Sequence, residues 1–241
     1  MHSLSAYDVV RAWEWGQDKH SVDRALSLLT LAQPELSSAQ AASLTVGQRN
    51  ARLLTLREKT LGPMLQGFAQ CPQCRAPLEF SLEAAAIRLP EPAVQEYAVI
   101  VDGIHIRLRL PNSLDLAAIV GCSGIEAARR LLIERCVLQA QLAGQEIAAS
   151  LLPDAVIPAL AEAVSEYDPQ ADMHFDLHCV VCGHTWSALF DIVSFFWTEI
   201  IALARRLLQD VHTLARAYGW SETEILAMSA ARRQFYLELG S

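Results

Sequence analysis

The chain has 241 residues, enough for one large domain or two modest ones. Apolar residues make up 52% and charged residues 19%, with a mean hydropathy of +0.22, yet Glu199, Asp115 and Asp154 split the longest apolar runs, so no membrane span is expected. The formal charge is −8, with Lys+Arg against Asp+Glu at 7 to 6 over residues 1–70, 7 to 16 over 71–191 and 5 to 5 over 192–241, so the middle of the chain lacks the basic face that binding nucleic acid requires.

The first eight residues have neither a basic start nor an apolar core, so no signal peptide is expected and the protein reads as cytoplasmic. Residues 1–70 read as helical. Ser5 can cap a helix to Gly16, Ser21 a second over Val22–Leu31, and Thr45 a third over Val46–Leu61 that Gly62-Pro63 stops. In the third, Val46, Leu53, Leu54, Leu56 and Leu61 form the apolar stripe, and Arg49, Arg52 and Arg57 leave from other sides.

Cys71-Pro-Gln-Cys74 follows, then Leu78–Leu82, whose apolar-polar alternation predicts a half-buried strand. Tyr97–Val101 and Ile104–Leu110, joined by Asp102-Gly103, predict a β-hairpin. Helices are expected over Leu114–Val120, Ile125–Ala143 and Pro153–Tyr167. Met173–Leu177 and Thr185–Phe190 read as strands flanking Cys179-Val-Val-Cys182. From Asp191 to about Tyr218 a long helix is predicted, because Val193, Phe196, Ile200, Leu203, Leu207, Val211, Leu214 and Tyr218 recur every three or four residues. Ser221-Glu-Thr-Glu224 opens a short helix to Met228, and Ser229 caps a last one through Phe235 and Leu239.

The two CxxC pairs carry the chemistry. Each is a tight turn that aims two sulfurs at one point, and four thiolates suit a closed, tetrahedral, structural Zn²⁺ site with no position left for substrate. The metal ligands expected are therefore Cys71, Cys74, Cys179 and Cys182. A redox dithiol and an iron–sulfur cluster are the competing readings; a dithiol at Cys71 and Cys74 leaves the second pair unexplained. Closing the roughly 100-residue loop costs about 1.7 kcal/mol more than closing one of about 15, small beside the ~10–16 kcal/mol of structural zinc binding. Cys122 and Cys136, inside helix-like runs, read as buried thiols. His178 and His184 flank the second pair and are expected to shield the site rather than bind the ion.

No nucleophile elbow, Gly-rich phosphate loop or zinc-protease motif occurs, and no catalytic residue, organic cofactor or small-molecule substrate is expected. The C-terminal aromatics divide between core and interface; Phe196, Tyr218, Trp220, Phe235 and Tyr236 are the candidate partner-binding residues. A greasy, acidic, metal-clasped chain points to protein partners and not to nucleic acid, membrane or metabolites. The alternative is a regulatory or nucleic-acid-binding zinc-ribbon protein, which requires a basic patch that the linear charge count does not show.

Three stretches carry a resemblance: Leu44-Thr-Val-Gly-Gln-Arg-Asn-Ala-Arg-Leu-Leu-Thr-Leu-Arg57 with the first CxxC pair, Cys179-Val-Val-Cys182-Gly-His-Thr-Trp186 with Phe190-Asp-Ile192, and His212–Leu226 with Ala231–Leu237. Together they resemble the baseplate hub assembly chaperones of T4-type contractile phage tails and related injection systems. The resemblance implies a non-enzymatic protein that helps to build or joins the central baseplate, contacts hub, spike or tube proteins, and ends in a tail-like particle. It implies no catalytic residue, and the zinc expectation rests on the cysteines alone.

The expected fold class is α+β: a mostly helical chain with a zinc-ribbon β core. That core would carry an inserted hairpin and helices, and a long C-terminal helix with two short ones would follow. The expected divisions are a helical region over 1–70, a zinc-ribbon region over 71–191 (cysteine turns in 71–82 and 173–190, insertion 83–172), and a helical tail over 192–241.

Overall fold

The structure is a computed structural model that describes residues 1–90 and 96–240. It is α+β, with ten α-helices and three small antiparallel sheets among those residues. Residues 91–95 of the expected insertion, and the last residue of the expected tail, lie outside the described residues.

Helix α1 (Ala6–Gly16) starts at Ser5, whose hydroxyl accepts the Asp8 amide while the Asp8 carboxylate accepts the Ser5 amide. Helix α2 (Ser21–Ala32) is capped one residue earlier than expected, by the ring of His20 accepting from the Val22 amide. A short α3 (Ser38–Ser43), not expected from the sequence, uses Ser37 and Gln40 as a capping box, and α4 (Val46–Leu61) uses Thr45 and Gln48 likewise. Strand β1 (Met64–Gln70) follows at once, so residues 1–70 are not all helical. Two of its three inward residues, Gly67 and Ala69, are too small for the alternation to stand out in the sequence.

Strand β2 (Pro77–Glu83) pairs with β1, setting Leu65 opposite Leu82, Gly67 opposite Phe80 and Ala69 opposite Leu78. Strands β3 (Glu96–Val101) and β4 (Ile104–Arg109) form the expected hairpin, with Asp102 (φ 51°) and Gly103 (φ 76°) both in the left-handed region that its two-residue turn requires. Helix α5 (Ser113–Ile119) and α6 (Ile125–Cys136) follow. The helix expected to reach Ala143 stops at Cys136. Strand β5 (Val137–Leu142) replaces its last part, paired with β4 and then with β6 (Gln145–Glu146). Sheet pairing overrides a helical pattern that periodicity alone could not separate from a strand. Helix α7 (Ile157–Tyr167) covers this sheet, whose core gathers Ile104, Ile106, Leu108, Ile133 and Leu160.

Strands β7 (His174–His178) and β8 (Thr185–Leu189) make a second cysteine-bearing hairpin. Helix α8 (Ile192–Tyr218) then runs 27 residues to Gly219, which takes the left-handed turn (φ 72°) that ends it. Most of the expected seam is its buried face: Val193, Phe196, Ile200, Leu207 and Leu214 are buried, Leu203 and Val211 half-buried, and Tyr218 at its end exposed. Helices α9 (Glu222–Leu226) and α10 (Ala230–Leu239) close the chain. The main core joins α1, α2, α4 and α8, so the first and last parts of the chain pack on each other.

Polar clamps fasten the insertion to this core and α4 to α8. Asp168 lies under the start of α4, where its Oδ2 accepts the Gly47 amide at 2.9 Å. A Cβ on Gly47 would sit 1.7 Å from Asp168 Oδ1, so the close approach needs glycine. Arg49 and Arg57, expected to leave the apolar stripe, are buried at 5% and 3% exposure. Arg57 grips Glu199 of α8 with Nε–Oε2 and Nη2–Oε1 at 2.9 and 2.5 Å. Arg49 donates to Asn50 Oδ1 and Ser113 Oγ, and burial lowers its pKa to about 10, against the pull of Asp191.

Candidate metal centre

Each cysteine pair sits in the loop of a hairpin, and the two loops have the same backbone. The Cys71 amide donates to Ala76 O (3.0 Å) and the Arg75 amide to Cys71 O (2.9 Å). In the second loop, the Cys179 amide donates to His184 O (2.8 Å) and the Gly183 amide to Cys179 O (2.9 Å). The residue after each second cysteine is left-handed: Arg75 at φ 60° and Gly183 at φ 73°. That turn lifts both sulfurs of a pair to the same side of its loop.

The fold brings the two loops tip to tip. All four sulfurs lie within 4.8 Å of one another. Across the two loops, Cys71 Sγ–Cys182 Sγ and Cys74 Sγ–Cys179 Sγ both stand at 3.6 Å. All six cysteines are free thiols, and 3.6 Å is far beyond a disulfide bond of about 2.05 Å. Four ligands bound to one ion at about 2.3 Å would stand about 3.8 Å apart, so these separations fit a single tetrahedral metal ion.

The electrostatics point the same way. Amides of Cys182 and Val181 draw the Cys179 thiol down to about 6. The His184 amide also favours a thiolate at Cys182, but desolvation and hydrogen bonds with the other three sulfurs push that thiol up to about 12. Four thiolates crowded this closely repel each other and need a cation to ionise together. Cys71 and Cys179 are buried and Cys74 and Cys182 exposed, so the cluster sits at the surface.

Neither neighbouring histidine belongs to the cluster: His184 lies parallel to the Trp186 ring, with centroids 6.1 Å apart, and His178 is exposed. Cys136 is buried beside Asp115, its thiol pushed up to about 12 by burial and that charge, whereas Cys122, also expected to be buried, is half-exposed.

The strand faces behind the cluster make a thin core. An aromatic ladder runs Phe80–Phe175–Phe190–Phe195 at centroid distances of 6.3, 5.0 and 5.4 Å, linking both hairpins to α8. Its four rings are only half-buried, as are Leu78, Leu177 and Trp186. Leu65 is the one residue of these four strands, beyond the cysteine loops, that is buried.

The expected partner-binding aromatics separate into two groups. Phe196 is fully buried and packs in the main core, which corrects its assignment to an interaction surface. Its place in the seam between Val193 and Ile200 already favours packing. Tyr218, Trp220, Phe235 and Tyr236 cluster at the end of α8. Tyr218 and Trp220 stack at 4.5 Å, Tyr236 meets both edge-on, and Phe235 is 57% exposed.

Among the described residues no helix is long and apolar enough to cross a membrane. Neither curated proteins nor solved structures gave a match to the chain. Residues 18–197, however, match the family described as T4 bacteriophage base plate protein. A match that spans most of the chain and takes in helices α2 and α4, both cysteine hairpins and the whole insertion makes this chain a member of that baseplate family.

Proposed function

We propose that this chain is a non-enzymatic assembly or structural factor of the baseplate hub in a contractile phage tail or phage-like injection system, held in shape by one structural Zn²⁺. The sulfurs of Cys71, Cys74, Cys179 and Cys182 would hold the ion, and the two hairpins around it would form a zinc ribbon split by the insertion. The observation that carries this reading is the meeting of two sulfur pairs, 105 and 111 residues apart in sequence, at 3.6 Å. Four sulfur ligands fill a tetrahedral ion's coordination, which supports a clasp rather than a reaction centre. A multi-iron cluster places its thiolates on different irons and needs wider spacing.

The thin core behind the cluster supports the same reading. Two-stranded hairpins are marginal alone, and these have one fully buried strand residue between them outside the loops. When bound, the metal supplies the stabilisation that packing does not. Tyr218, Trp220, Phe235 and Tyr236, together with the hairpins, would present the surfaces that hub, spike or tube proteins bind. Co-expression with the neighbouring tail proteins, followed by affinity purification, tests the assembly role. Retention of a hub, spike or tube protein is expected, and retention of none would refute it.

A further inference from the structure

Strands β1 and β8 are edge strands that face a common cleft. Strand β1 pairs only with β2, and β8 only with β7. Among the described residues no backbone hydrogen bond reaches the outer edge of either strand. Between them lies a cleft of about 350 Å³, walled on one side by Phe68 of β1 and Phe80 of β2, on the other by Leu189 of β8 and Leu177 of β7, and reaching Asp191 and Thr198 at the start of α8. A strand shows alternate residues to either face, and the consecutive residues Gly67, Phe68 and Ala69, with Ala188 and Leu189 opposite, line the cleft, so it reaches the free edges of both strands as well as the inner faces of the hairpins. The walls are mostly apolar, with Asp191, Ser194 and Thr198 polar at the α8 end, and open to solvent: Phe68 is 62% exposed and Leu189 65%. Unpaired edges beside exposed apolar side chains are a template for another strand.

We propose that this cleft receives an extended segment of another baseplate protein, one in which apolar side chains alternate with lysine or arginine. This rests on the hub-assembly reading above. The incoming backbone would complete the open edges of β1 and β8, and its apolar side chains would fill the space between Phe68 and Leu189. The basic residues follow from charge. Glu79 and Glu83 on β2 and Asp176 on β7 are exposed and have no ion-pair partner among the described residues. Glu79 lies directly opposite Phe68 and next to Phe80, and Asp176 stands between the cleft-lining Phe175 and Leu177. The stretch 71–191 has 16 acidic residues against 7 basic ones, so a basic strand is attracted and a second copy of this stretch is repelled.

The test uses the full-length, zinc-loaded protein with the purified hub, spike and tube proteins of the same tail, each added separately. Hydrogen exchange followed by mass spectrometry is measured on free and bound protein. The bound protein is expected to show at least tenfold slower exchange along β1 and β8. Phe68→Asp and Leu189→Asp should each weaken binding at least tenfold while keeping the wild-type circular dichroism and zinc content. Ile125→Asp, on a side chain 76% exposed at the start of α6, should bind as wild type. A partner that binds without protecting β1 and β8, or that binds both cleft variants normally, overturns the cleft and leaves the assembly role standing. Protection of the two strands by self-association alone overturns the choice of occupant. Failure of all three proteins to bind overturns the assembly role and the cleft with it.

Discussion

Asp115→Asn removes one charge and almost no volume. Asp115 is fully buried, and its carboxylate accepts from Arg109 Nη1 and Nη2 at 2.6 and 2.9 Å, from Arg135 Nε at 2.9 Å, and from the Asn112 amide at 3.0 Å. It thereby ties β4, the start of α5 and the end of α6 into one joint. Desolvation works against its charge, but the bonds from Arg109, Asn112 and Arg135 win and hold its pKa below the ordinary 3.8. Breaking a fully buried pair costs about 3–5 kcal/mol. Here the guanidiniums keep 28% and 39% of their side-chain surface exposed and can rehydrate, so the expected loss is about 2–3 kcal/mol. In a chain of this size that lowers Tm by about 5–10 °C. Urea unfolding of the zinc-loaded protein at pH 7 measures it, and the double variant Asp115→Asn/Arg109→Gln should recover part of the loss. Because the folded pKa is depressed, the wild-type contribution is complete above the unfolded value and disappears as pH falls through the folded one. Wild type and variant should therefore converge below about pH 3.8. A difference under about 0.5 kcal/mol at pH 7 would refute the joint.

Gly47→Ala should destabilise by about 2–4 kcal/mol in the same assay despite alanine's higher helix propensity, because its Cβ displaces the buried Asp168 carboxylate. Phe196→Ala should cost about 3–5 kcal/mol, whereas Phe235→Ala, at a residue 57% exposed, should leave Tm nearly unchanged and reduce partner retention in affinity purification. Replacing Cys71 or Cys179 by serine should leave less than one zinc per chain and raise ANS binding and protease cleavage between residues 64 and 83 and between 174 and 189, as should chelation of the wild-type protein. The long helices of the main core should keep most of their far-UV circular dichroism, so losing the hairpins would not look like global unfolding.

The helices were legible where a cap and a period agreed. Ser5, Thr45 and Ser221 fixed their helix starts through side chains that satisfy free amides, and the seam of α8 appeared as a three-four repeat. Strand β1 was hidden because Gly67 and Ala69 face inward, and Gly67 is small so that the Phe80 ring can lie over it. Strand β5 was hidden because its partner, β4, lies about 30 residues earlier and no local period reports that pairing. The sulfur cluster was legible from spacing alone, since a CxxC turn has few uses and two of them suggest one ion. The buried Arg49, Arg57 and Asp168 were not, because their partners Ser113, Glu199 and Gly47 are distant in sequence. A lone arginine on a helix carries no sign that a carboxylate will reach it. The edge cleft needed the three-dimensional arrangement of both hairpins.

Metal analysis with X-ray absorption on the purified full-length protein tests the clasp most directly. One zinc per chain, bound by four sulfurs at about 2.3 Å, is the expected result. Protein that is folded and monodisperse without metal, or zinc bound mainly through nitrogen or oxygen, would contradict it.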